Sequence, residues 1–145
     1  MPVRDYCQPA VRTVGPEETA RFMAQHMDRA DVGCLVVVEE GRPTGIVTDR
    51  DLALTLLCDG RDAGAVTAGE LATRVPVAIH ENAPLAEALH TLRQNGVRRL
   101  PVVDDAGKLT GILTADDLLK ALALELSGLG GALSAQLSGH VVAGG

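Results

Sequence analysis

The chain has 145 residues, room for one domain or two mutually packed halves, since a half of about 65 residues is marginal alone. Apolar residues make up 46% and aromatics 1%, with Tyr6 and Phe22 the only rings, so the core is expected to be aliphatic and stacking on bases is nearly excluded. The net charge of −6 argues further against nucleic-acid binding, although a local basic cluster could still hold a phosphate.

The opening MPVRDYCQPA has neither the apolar core nor the cleavage pattern of a secretory signal, and no apolar run approaches the ~18 residues of a membrane helix, so a cytoplasmic protein is expected. The three cysteines, Cys7, Cys34 and Cys58, lack CxxC spacing, which suits a reducing compartment.

Val3-Arg4-Asp5-Tyr6-Cys7 reads as a short helix, and Ala68-Gly69-Glu70-Leu71-Ala72 matches it 65 positions on. Extended segments follow at 11–14 and 75–79, with Thr13-Val14 aligned to Ala78-Ile79, and then turns at 15–18 and 80–84. Ala20, Met23, Ala24 and Met27 have the i, i+3, i+4, i+7 spacing of an amphipathic helix over 19–29, reproduced by Leu85, Ala88, Leu89 and Leu92. The β-branched runs at 32–38 and 97–103 read as buried strands. Turns at 39–43 and 104–108 lead to third strands at 45–47 and 111–113, where an extra residue raises the offset to 66.

Each third strand runs into the same corner. Gly45-Ile46-Val47-Thr48-Asp49-Arg50-Asp51-Leu52 is repeated as Gly111-Ile112-Leu113-Thr114-Ala115-Asp116-Asp117-Leu118. Thr48 and Thr114 suit helix N-caps, with Asp51 and Asp117 three residues on, where a carboxylate can reach back to the cap and lies at the positive end of the helix dipole. Each corner thus gathers a hydroxyl and a carboxylate where α/β units bind ligands. The helices are expected over 49–58, ending near Asp59-Gly60, and 115–126, ending before Ser127-Gly128. Residues 59–67 read as a linker. The Gly-, Ala- and Ser-rich stretch 127–145 is expected to be largely disordered, with a frayed helix at most over 132–137.

These paired features resemble a tandem of cystathionine-β-synthase-type (CBS) domains, a Bateman module of the kind found in stand-alone bacterial CBS-pair proteins. The matched parts are VRDYC and GELA, Thr13-Val14 and Ala78-Ile79, VGCLVVV and VRRLPVV, and GIVTDRDL and GILTADDL. The resemblance implies an α/β (α+β) fold of two βαββα repeats, 3–66 and 67–126, packed about a pseudo-twofold with clefts between them, followed by the tail 127–145. It also implies a non-catalytic regulatory or signal-transduction module, a homodimer acting on an unidentified protein partner. No obligatory cofactor is expected, but AMP, ADP, ATP or S-adenosylmethionine could be a regulatory ligand.

In such a module Asp51 and Asp117 would accept from ribose hydroxyls, because a carboxylate offers two acceptor oxygens to a vicinal diol. Thr48 and Thr114 would donate to ribose or phosphate, while Thr13, Val14, Ala78 and Ile79 would flank the adenine. Arg98 and Arg99 suit bidentate phosphate contacts, and their counterparts Gly33 and Cys34 carry no charge, so one cleft is expected to be the better site, with Asp51 from the opposite half as the ribose partner. Each residue also has a plain structural reading: cap, first-turn charge or solvated strand end. His26, His80, His90 and His140 have no metal-ligand spacing, and no nucleophile-and-base pair is visible. The alternatives are a ligand-free interaction or stress protein and, further off, a cysteine-dependent metal or redox sensor.

Overall fold

The repeat in the sequence becomes a repeat in space, but its first element is exchanged between the halves. The computed structural model describes residues 1–74 and 77–143, so Val75 and Pro76 of the expected extended segment lie outside the described residues. One sheet runs β1 (Thr13–Val14), β2 (Cys34–Glu39), β3 (Arg42–Thr48), β4 (Thr73–Arg74), and the other β5 (Ile79–His80), β6 (Arg99–Val103), β7 (Leu109–Thr114). In each, the first strand is parallel to the second and the second antiparallel to the third. The parallel pairs are joined through helices α1 (Ala20–Ala30) and α4 (Leu85–Asn95), which gives the βαββα order twice.

Local chemistry explains the boundaries. Thr19 Oγ1 accepts from the Phe22 amide at the start of α1, and left-handed residues stop α1 at Asp31 and α4 at Gly96. The β2–β3 hairpin turns on Glu40 and Gly41, both at positive φ as a two-residue turn of this twist requires. Asp104 Oδ1 accepts from the amides of Ala106 and Lys108 in the longer second turn. The buried stripes are narrower than the spacing predicts: Ala20, Met23 and Met27 of α1 and Ala88 and Leu92 of α4 face the sheets, whereas Ala24 and Leu89 face outward.

Two aliphatic cores result. Val14, Met23, Leu35, Val37 and Val47 belong to one, and Ile79, Leu92, Leu100, Val102 and Leu113 to the other. The one-turn helix at Val3–Asp5 packs Val3 into the second core, and α3 (Ala68–Leu71) packs Ala68 into the first. Equivalent hydrogen bonds lock the exchange: the Val3 amide donates to the Ala83 carbonyl and the Ala68 amide to the Glu18 carbonyl, each at 2.8 Å. The boundary at 66/67 suggested by the repeat therefore does not separate two self-contained cores.

The last helices differ. α2 (Asp49–Ala53) widens into a π-helical turn at Leu54–Cys58 and ends at Asp59, beside Gly60 at φ +66°. Its counterpart α5 runs from Ala115 to Ala143. This corrects the expected stop near residue 126 and the expected disorder beyond it. Leu and Ala carry the helix onward from its capped start, against a cost of roughly 1 kcal/mol for each of Gly128, Gly130 and Gly131 relative to alanine. Leu118 and Ala121 anchor α5 on the body, and every described side chain from 122 to 137 is exposed. By length and mean hydropathy (1.3), Ala115–Leu137 could cross a membrane, which the sequence reading did not foresee, although it includes Asp116, Asp117, Lys120 and Glu125.

Candidate functional site

Both strand-to-helix corners form reciprocal caps. The Thr48 amide donates to Asp51 Oδ2 at 2.8 Å and the Asp51 amide to Thr48 Oγ1 at 3.2 Å; the Thr114 and Asp117 pair repeats this at 3.0 and 3.1 Å. The shorter Asp side chain thus closes a box more often made by Glu or Gln. A backbone bond ties each corner to the residue just ahead of β2 or β6, from the Asp49 amide to the Gly33 carbonyl and from the Ala115 amide to the Arg98 carbonyl.

The corners are not equivalent in access. Asp117 is buried, 8% exposed, and its Oδ1 accepts from Gln8 Nε2 at 3.4 Å. Gln8 is held there because its amide and carbonyl both bond Ile112, which makes the N-terminal segment an extra edge to β7. Asp51 is half-buried, and its Oδ1 has no hydrogen-bond partner among the described residues. Sequence reasoning missed Gln8. The one available signal was that Thr73 occupies its place in the other repeat, paired with Ile46.

Arg98 is exposed and Arg99 half-buried, and among the described residues neither guanidinium has a hydrogen-bond or ion-pair partner. They line an open depression of about 240 Å³ with Thr114, Ala115 and Asp116; Asp51 does not line it. Arg99 also acts electrostatically on the first half. Burial pushes the Cys34 thiol up, the positive charge of Arg99 pulls it down, and Asp49 raises it further. Cys34 pairs with Thr48 across β2 and β3, so Arg99 acts on a strand that leads to the first corner. The Val14 and Ile79 side chains are committed to the two cores, whereas their neighbours Thr13 and Ala78 are exposed.

The CBS domain family model matches residues 3–57 and 68–124. The chain belongs to the CBS-domain family. Hypoxic response protein 1 of Mycobacterium tuberculosis is 36% identical over 120 residues, 82% of this chain and 83% of its own length. Its crystal structure, with two coordinated zinc ions, superposes with a TM-score of 0.73 at 35% identity over 83% of this chain and 98% of that one. Protein MK0525 of Methanopyrus kandleri is 37% identical over 111 residues, 76% of this chain but 57% of its own length. CBSX2 of Arabidopsis thaliana, solved in complex with AMP, gives a TM-score of 0.71 at 29% identity over 87% of this CBS pair and 98% of that chain.

The cysteines of this CBS pair differ in access. Burial raises the Cys7 thiol, with the carboxylates of Asp117, Glu81 and Asp5 adding to it, whereas Cys58 is exposed at the end of the π-helical turn. Among the described residues no group of three or more His, Cys, Asp or Glu could hold a metal ion. Titration with a thiol-reactive dye is expected to label Cys58 in a fast first phase, with Cys7 and Cys34 following slowly or only after unfolding. A Cys58→Ser variant should lose the fast phase alone.

Proposed function

We propose that this CBS pair is a non-catalytic regulatory module that binds an adenosine nucleotide across its two corners. The observation that carries the reading is the pair of unneutralised guanidinium groups, Arg98 and Arg99, held beside the capped start of α5. They offer the charge and forked geometry that phosphate takes, beside hydroxyl and carboxylate groups suited to ribose. The AMP complex of CBSX2 lends support from a relative. Because Gln8 covers Asp117, the ribose partner is Asp51, with Thr48 beside it; Arg98 and Arg99 reach the phosphate, and Thr13 and Ala78 flank the base. Thr114 lines the phosphate side. Binding regulates a partner through differential affinity for two packings of the halves.

A thermal-shift panel of AMP, ADP, ATP, S-adenosylmethionine and NADH tests this. A ligand at about 100 times its dissociation constant should stabilise the fold by about 2.7 kcal/mol. No stabilisation by any of them would sink the reading and favour a ligand-free interaction protein. Zn²⁺ belongs in the panel because of the zinc-bearing relative, and a zinc shift lost in Cys7→Ser or Cys58→Ser would point to a metal sensor instead.

A further inference from the structure

The exposed part of α5 sorts its residues by chemistry around the helix. At about 3.6 residues per turn, Leu119, Leu122, Leu126, Leu129, Leu133 and Leu137 fall within an arc of about 80°. They are 48–70% exposed. The arc adjoins Leu118, which docks the helix on the body, and every described side chain from 122 to 137 is exposed. The opposite face is made of small uncharged residues, among them Ser127, Gly128, Gly131, Ser134 and Ala135, and no titratable side chain occurs from Leu126 to Leu137. Gly128, Gly130 and Gly131 make such a helix marginal in water, so it needs a surface that takes its leucines.

We propose that α5 lies on a lipid surface, its leucine arc sunk among the acyl chains of an electrically neutral membrane and its Ser and Gly face turned to water. The charge pattern selects the lipid. Lys120 and Glu125 offset each other, and a chain of net charge −6 is repelled by anionic headgroups, so the attraction comes from burying leucine and not from charge. Against acyl chains an unpaired amide is costly, so the interface also favours the helical backbone that the glycines weaken in water. The helix has the length and hydropathy to span a bilayer, but lying flat fits it better: Asp117 holds the first turn in its cap on the body, and Glu125 and Gln136 fall inside the span. A partner helix fits less well, because the arc is edged by Ala123, Gly130 and Gln136 in place of the paired charges that set the register of two helices.

Flotation of the full chain with small phosphatidylcholine vesicles tests it. The wild type is expected to float with the vesicles and to gain helical circular-dichroism signal, as much at high salt as at low, with no improvement when phosphatidylserine is added. The double variant Leu126→Glu, Leu133→Glu should partition about tenfold more weakly, or less still, with the body melting as before. Leu124→Glu, as exposed as Leu126 but on the opposite face, should float like the wild type. A wild type that stays in the soluble fraction, or floats only with phosphatidylserine, would overturn the proposal. So would equal flotation of the double variant, or a helical signal that depends on these leucines yet is unchanged by vesicles, which would assign the arc to a partner helix. If the double variant loses its body transition, a single Leu129→Glu variant replaces it under the same criterion.

Discussion

Asp51→Ala is expected to remove the stabilisation of about 2.7 kcal/mol that a near-saturating adenosine nucleotide gives the wild type, while Asp117→Ala keeps it. The contrast comes from the strap at the N-terminus: Gln8 lies on the buried Asp117, and Asp51 retains an oxygen with no partner among the described residues. Both changes open a capping box, so both should destabilise the free protein, by about 1 kcal/mol at Asp51. The loss at the buried Asp117 should be larger, about 1–3 kcal/mol, because the Thr114 amide loses its acceptor. Asp51→Asn separates the two effects, since it keeps an acceptor for the Thr48 amide but presents a donor to a ribose hydroxyl. Equal ligand shifts in Asp51→Asn and wild type would remove Asp51 from the site. A shift lost in Asp117→Ala alone would show that the strap leaves that corner open.

What the sequence made legible was local or periodic. The capped corners, the order of elements along each repeat and the stop at Gly60 each follow from residues within a few positions of one another, and two copies in register reinforced the first two readings. What it hid depended on distance. Val3 and Ala68 open the repeats alike, and nothing near either says that each will seal the other repeat's core. Gln8 and Asp117 meet across 109 positions. Leu89 belongs to an apolar helical stripe by spacing yet is 45% exposed, whereas Ala88 and Leu92 of the same helix are buried. The glycines of the tail argued for disorder, and the leucine row running through them, which carries α5 onward, was read past.

The exchange of opening turns makes the stability of the two halves a shared quantity, which truncations of matching leucines should reveal. Leu35 and Leu100 occupy the same place in β2 and β6, are both 0% exposed, and belong to different cores. Leu→Ala at either is expected to cost about 2–5 kcal/mol, the lost transfer energy plus the cavity left behind. In a chain of this length that lowers the melting temperature by roughly 5–20 °C. If the halves were independent, Leu35→Ala would melt the first early and leave the second at its wild-type temperature. Val3 sits in the second core and Ala68 in the first, so unfolding either half strips a buried element from the other. Calorimetry should therefore show one transition in each variant, displaced by similar amounts, with Val3→Ala moving the same transition by a smaller step. Two resolved transitions in Leu35→Ala would mean that the crossed elements detach without cooperating, and that ligand binding at one corner has no mechanical route through these cores to the other.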